Sequence, residues 1–531
     1  MKAIKHFLLQ PWFYIVILAM GASLKLYHID YHLFWYDEVA TIRHTSGNQI
    51  LDIPVNEIKN ISYYNDQIHL KKQNLSIASE LKGLYASTNL NPLHYTFLMI
   101  WYRIAGDNEI SYRLFNVFIF LLTLPLLFLL AKTLFKSNLA GWIAISLYAI
   151  SPFFHYYIHE ARYNTLLVFL IVFLHYLFLQ AIEHKKLKWW IGYSVVGILT
   201  LYASVLSGLI IFGHFLYIIF FKKEIRITFS VNLIIILSSY LPWIISLINN
   251  RAEITTSLSW HNILDRNQNF ITLLLYQCNG FTTIFMWHRD LVQFLFRILE
   301  FDFKGNYIQL VAPVIILILI LSSIIYTIKK APRKVAYFLV LIFLPYLLFF
   351  LISDIVRNTG MSLISRYQAI NFIVILLFVV YLISKKITQG KLIYAGIYIG
   401  LVIVGFISIF LISKVRCFDG GNWSAQIKDA QLYSNARHPL LITDYSMAGP
   451  GVRAVGGFMV IMNECQSENI DILRASPDIR NVEKMLLDTE YSDIYVTHAS
   501  MKLVENLKMQ FGEKMDSLEI EGISPMWQIK Y

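Results

Sequence analysis

The stretches VFIFLLTLPLLFLLA (117–131) and LIIILSSYLPWIISLI (233–248) carry no charge and approach the length that crosses a bilayer. Runs of this kind recur along the 531 residues, and they decide the class of the chain. Hydrophobic residues make up 57% and charged residues 15%, against roughly 45–50% and about 25% in soluble domains. A soluble globular enzyme, a disordered protein and a coiled-coil rod are excluded. A polytopic α-helical membrane protein remains.

Spans are expected at about 11–29, 110–130, 139–157, 163–182, 189–203, 205–221, 227–248, 307–328, 335–353, 367–383 and 392–413. The sixth depends on a break within LYASVLSGL, whose small residues suit a tight turn. Basic clusters lie between alternate spans. They run from Lys2 and Lys5, through Lys185, Lys186 and Lys188, to Lys385, Lys386 and Lys391. These loops hold seventeen basic residues, and only Glu183 and Glu224 are acidic. The bias places them on the cytoplasmic face, the N-terminus inside and the C-terminus outside. It also explains the net charge of +11 without a nucleic-acid partner. Counting 92–106 as a span would reverse every later cluster, so that stretch is expected to lie along the interface or to dip in and return.

The outer side then carries loops at about 30–109 and 249–306, short turns at 158–162 and 354–366, and a tail from 414. FITLLLYQC and LVQFLFRIL in the second loop have the pattern of interfacial helices. In the tail, PLLITDY and SDIYVTH read as buried strands, NVEKMLLD and SMKLVENLKMQFG as amphipathic helices. The expected organisation is a membrane domain over 1–413 and a soluble α/β domain over 414–531. Cys417 and Cys465 fall in the tail; a disulfide and two free thiols are both open.

No expected span contains Asp or Glu, which disfavours a proton- or cation-coupled transporter. Walker and dinucleotide motifs are missing, as are a D-x-D pair and His/Cys clusters with metal-ligand spacing; neither metal nor cofactor is expected. Chemistry-bearing residues gather instead at the outer span ends. Asp37 and Glu38 follow Trp35 and Tyr36 just beyond the first span. A carboxylate there is partly desolvated and suits a general base; a helix N-cap is the alternative. The turn SPFFHYYIHEARYNTL packs His155, His159, Glu160 and Arg162 between two spans. Arg162, Arg113 and Arg366 are candidates either for bidentate phosphate binding or for snorkelling to the interface.

WYDEVA, NPLHYTFLMIWYRIAGDNEISYRLFNVF, SPFFHYYIHEARYNTLLVF and SRYQAI, in this order across residues 35–370, resemble membrane glycosyltransferases of the GT-C fold. The nearest likeness is to the protein O-mannosyltransferase superfamily and its bacterial relatives, the aminoarabinose transferases of lipid A. The resemblance implies a polyprenyl-phosphate sugar donor used on the periplasmic face of a bacterial inner membrane. It implies Asp37 as the first-loop carboxylate, with Glu38 beside it, and puts His94, Arg113, Arg162 and Arg366 at family motif positions. The charge of the departing phosphate then calls for donors, for which Arg162 and Arg366 are the first candidates, joined by Arg113 and His94 and assisted by Lys71 or Lys72. Glu160, His159 and Tyr367 fall at substrate-binding positions. His94 stands in Asn91-Pro92-Leu93-His94, where the family has Pro-Pro-Leu, so its role departs from the pattern.

The chemistry then expected is metal-independent inversion. The acceptor hydroxyl, on protein Ser/Thr or on an envelope lipid or glycan, gives its proton to Asp37 and displaces the lipid phosphate. A lipid-linked glycan flippase and a non-enzymatic scaffold are the competing readings. Loss of transfer in Asp37→Asn, with lipid binding retained, separates the enzyme from both.

Overall fold

The computed structural model describes residues 10–46, 53–69, 76–86, 92–249, 251, 270–287, 308–357, 361–416, 423–444, 452–486, 490–520 and 524–530. Along the chain run helices α1 (Pro11–Leu26) and α2 (Tyr36–Thr45), strand β1 (Ile58–Asn60), then α3 (Ile61–Ile68), α4 (Ile77–Ala86), α5 (Pro92–Ala105) and α6 (Glu109–Phe135). Next come α7 (Asn138–Ala149), α8 (Pro152–Ile158), α9 (Asn164–His184), α10 (Leu187–Ala203), α11 (Gly208–Phe221), α12 (Arg226–Asn249) and α13 (Phe270–Thr282). They are followed by α14 (Ile308–Lys330), α15 (Arg333–Arg357), α16 (Ala369–Thr388), α17 (Leu392–Ile412) and α18 (Trp423–Asn435). The chain ends with β2 (Pro439–Thr443), α19 (Val452–Glu464), β3 (Asp471–Arg474), α20 (Val482–Leu486), β4 (Asp493–Thr497), α21 (Met501–Phe511), β5 (Met515–Ser517) and β6 (Met526–Ile529).

Each of the eleven stretches read as a span coincides with helix, and seven of these helices are individually long and apolar enough to cross a membrane. The chain is a multi-pass membrane protein. The break inside LYASVLSGL is present: Ser204 is extended (φ −164°) between α10 and the 3-10 turn Val205–Ser207 that leads into α11. The stretch 139–157 is not one straight span. α7 and α8 meet at a bend of 57°. Ser151 precedes a proline, which drives it out of helical geometry (φ −66°, ψ 124°), and Pro152 then opens α8. α5 has 14 residues and is not among the candidate spans. FITLLLYQC falls in α13; LVQFLFRIL lies outside the described residues.

The chain divides into two compact units. The first holds Met1–Ile29, Thr88–His94 and Arg113–Lys414. Its centre is α16, apolar on every side and almost wholly buried, with α7, α9, α14, α15 and α17 packed around it. Close approach is built into this bundle: a Cβ on Gly213 of α11 would stand 2.6 Å from the Leu341 carbonyl oxygen of α15.

The second unit holds Asp30–Ser87, Tyr95–Tyr112 and Val415–Tyr531. Thus the first long loop, expected to belong with the membrane part, clusters with the tail. Its sheet has the order β1-β3-β2-β4-β6-β5. β3, β2 and β4 are parallel; the other pairings are antiparallel. β2 and β4 coincide with PLLITDY and SDIYVTH, and α20 and α21 with the two expected tail helices. β1 comes from the first loop and pairs Ile58 with Leu473 and Asn60 with Asp471. The Asn60 amide donates to the Glu468 and Ile470 carbonyls and to Asp471, while its oxygen caps α3 through the Ser62 N–H. α2 and α3 both pack on α19, with Tyr64 edge-on to Phe458.

A buried ion pair braces the helical part of this unit. Glu80 of α4 accepts from Arg103 Nη2 at 2.7 Å and from the Tyr102 hydroxyl at 2.7 Å, both on α5. In the tail, the Cys465 thiol is pushed up to about 12 by burial. Cys417, its suggested partner, lies outside the described residues.

Candidate functional site

In the first unit, the turn between α8 and α9 is locked by its own histidines and by neighbouring spans. His159, the last residue capping α8, binds the Lys25 carbonyl through Nε2 at 2.9 Å, and its ring lies 4.3 Å from that of His155. His155 in turn meets the Ser413 hydroxyl at 3.4 Å. Asn116 of α6 donates to the Glu160 carbonyl, fixing the backbone from the other side. The Glu160 side chain is buried. Arg162 follows two residues later, half-buried, its guanidinium 5.7 Å from the Tyr163 ring centre.

His94 lies against this turn. Burial pulls its imidazole down to about 3, the Arg162 charge adds to the fall, and the backbone of Ala161 opposes it. His94 is therefore neutral at physiological pH, and its ring packs edge-on to Phe115. A second arginine reaches the same neighbourhood on the short helix Ser365–Gln368. The Tyr157 hydroxyl of α8 and the Ser365 hydroxyl are 3.2 Å apart, so the Arg162 and Arg366 segments are joined directly. Arg366 and Tyr367 are half-buried, with the guanidinium 5.7 Å from the Tyr367 ring. A half-buried guanidinium can hold a phosphate through its planar, bidentate fork.

Arg113 lies on α6, the helix whose Asn116 reaches the Glu160 carbonyl. It is wholly buried in the first turns of α6 and donates to the Ile29 carbonyl at 2.8 Å, bracing the chain just past α1.

The acidic pair belongs to the second unit, at the start of α2. The Glu38 N–H donates to the Trp35 carbonyl at 2.9 Å, and the Glu38 carboxylate accepts from the Trp35 N–H at 3.4 Å. Glu38 is completely buried. It holds the helix start, as a first-turn acid does. Asp37 is half-buried, and its carbonyl accepts from the Thr41 hydroxyl. Arg43, on the same helix, is half-buried near Tyr36 and Tyr95; desolvation lowers its pKa and the two phenols oppose the fall.

Four residues were not singled out in the sequence. Arg43 follows Asp37 by six positions in ATIRH. Lys25 is buried in the last turn of α1, its Nζ 5.6 Å from the Phe120 ring centre; a lone lysine inside an apolar run was the available signal. Glu80 sits in an unremarkable loop sequence. The sequence puts Asp354 at the first position of a turn, but α15 runs on to Arg357 and carries it in its last turn. Lys71, Lys72 and Asn91 lie outside the described residues. Among the described residues, no group of three His, Cys, Asp or Glu side chains is placed to hold a metal.

Residues 90–245 match the family model of dolichyl-phosphate-mannose-protein mannosyltransferases. By structure, the chain is similar to ArnT from Cupriavidus metallidurans bound to undecaprenyl phosphate. The identity is 11% and the TM-score 0.52, over 97% of this chain and 97% of that one. It is also similar to the apo oligosaccharyltransferase of Archaeoglobus fulgidus, at 11% identity and a TM-score of 0.49, over 92% of this chain and 70% of that one. Among curated proteins, none matches the sequence.

Proposed function

We propose that this chain, a GT-C-fold membrane glycosyltransferase of the mannosyltransferase and aminoarabinose transferase type, moves one sugar from a polyprenyl-phosphate donor to an acceptor hydroxyl. The basic clusters between spans support a site on the periplasmic face of a bacterial inner membrane, with the N-terminus cytoplasmic. The observation that carries the donor assignment is that Arg162 and Arg366, both half-buried, follow two residues, Tyr157 and Ser365, whose hydroxyls are 3.2 Å apart. The relative of like fold that was solved with undecaprenyl phosphate points to the same donor class.

A polyprenyl phosphate leaves as a stable anion, so no general acid is called for. Its charge grows as the bond to the anomeric carbon breaks, and Arg162 and Arg366 stabilise it at fixed positions. His94, kept neutral by burial, adds no positive charge of its own beside Arg162. Asp37 takes the acceptor's proton as the oxygen attacks from the opposite face, giving inversion in a single displacement. Glu38 fixes the helix start from which Asp37 works. Glu160, His159 and Tyr367 are assigned to the substrate, and Arg113 to bracing the segment after α1. The acceptor is a protein Ser/Thr, an envelope lipid or a glycan.

Asp37→Asn tests the base. Envelope proteins and lipids of cells making the wild-type or variant enzyme are compared by mass spectrometry, alongside undecaprenyl phosphate binding to the purified protein. The expected result is loss of a single-sugar mass increment with binding retained. Unchanged transfer refutes the base assignment.

A further inference from the structure

One face of α15 grips the whole segment that carries Arg366. Tyr346, Phe350 and Asp354 recur every four residues, so they share one side of the helix over about 12 Å. All three are buried. The Tyr346 hydroxyl donates to the Tyr367 carbonyl. The Phe350 ring stacks on that of Tyr367, with centres 6.3 Å apart and planes 19° off parallel. Asp354, 2% exposed, accepts from the Met361 N–H at 2.8 Å through one oxygen and from the Ser362 N–H at 2.8 Å through the other.

The placement of Asp354 is costly by itself. A carboxylate in the last turn of a helix faces the negative end of the macrodipole, and burial removes its water. Two backbone donors offset this, and both belong to the turn Met361–Leu363 just before Arg366. That turn continues through the Tyr367 N–H to Ile364 carbonyl bond into the short helix bearing Arg366.

We propose that Asp354 is the positioning residue for Arg366: its carboxylate fixes the Met361–Ser362 backbone, and the Tyr346–Phe350–Asp354 face thereby sets the guanidinium for the lipid phosphate. This rests on the assignment of Arg366 to the donor phosphate.

The test uses the full-length protein in nanodiscs with undecaprenyl phosphate as the probe. Arg366→Ala, Asp354→Asn and the double variant are titrated, and each is checked for thermal unfolding. Removing a charge-assisted contact is expected to weaken binding roughly tenfold in each single variant. The double variant is expected to bind no more weakly than Arg366→Ala, because Asp354 acts only through that side chain. A purely structural role would lower the melting temperature in both backgrounds and give additive losses in binding; additive losses overturn the proposal. Wild-type affinity in Asp354→Asn with weakened Arg366→Ala overturns it and leaves the Arg366 assignment standing. Wild-type affinity in Arg366→Ala overturns the assignment and the proposal together. Should Asp354→Asn fail to fold, Met361→Pro keeps the carboxylate, removes one of its donors at a position where proline is tolerated, and carries the same expectation.

Discussion

Acid should unfold this protein partly through one histidine. His94 is buried, with its folded pKa at about 3, against 6.5 when solvated. The sign follows from the depressed value. Above pH 6.5 both states are neutral at this position, and folding gains nothing from pH. Below 6.5 the unfolded chain takes up a proton that the folded one refuses, so stability falls with pH until about 3. From pH 7 to pH 5 the proton uptake of the unfolded state alone amounts to about 2 kcal/mol. The perturbation is His94→Gln, which removes the titrating group. Unfolding of the detergent-solubilised protein is followed at pH 7, 6 and 5 for both forms. Other titrating groups contribute equally to each, so the difference between the two pH profiles isolates position 94. The wild type should lose about 2 kcal/mol more than His94→Gln over this range. Parallel profiles would refute the account, since they would mean that His94 is as readily protonated in the folded protein as in water.

Arg162→Ala should weaken undecaprenyl phosphate binding about tenfold, read by titration in nanodiscs; unchanged affinity counts against its phosphate role. Glu80→Ala should cost about 3 kcal/mol in thermal or chemical unfolding, because it strands the Tyr102 hydroxyl and Arg103, the latter 27% exposed and partly rescued by water. Gly213→Ala should destabilise the membrane unit by about 1–3 kcal/mol, since the backbone oxygen it would meet cannot rotate away. Asn60→Ala should cost about 1–2 kcal/mol and speed protease cleavage of the first loop; wild-type cleavage rates would show that β1 stays docked without it.

Much of the helical frame was readable, because lipid-facing and buried spans alike demand long apolar runs. The break at Ser204 followed from small residues alone. The bend at Ser151-Pro152 was missed although the proline rule predicts it; hydrophobicity continues through the bend and masks it. The distinction between Asp37 and Glu38 was legible only as an alternative, since which of two adjacent acids caps a helix depends on where the helix begins. The clasp of Asp354 on residues 361 and 362 required the end of α15 to be known to within a turn. The pairing of β1 with β3 was beyond reach. It joins residues more than four hundred positions apart, and IKN is too short to announce itself as a strand.

That pairing bears on how chains of this architecture can be recombined. A cut at residue 414 looks natural in the sequence, with membrane helices before it and an α/β tail after. Yet the tail's sheet ends in a strand borrowed from residues 58–60, and α2, from which Asp37 projects, rests on the tail helix α19. A tail grafted from a relative would arrive with an uncovered edge at β3 and the wrong seat for the helix of the proposed base. Working chimaeras should therefore exchange 30–87 and 95–112 together with 415–531, treating three separate stretches of sequence as one inherited part.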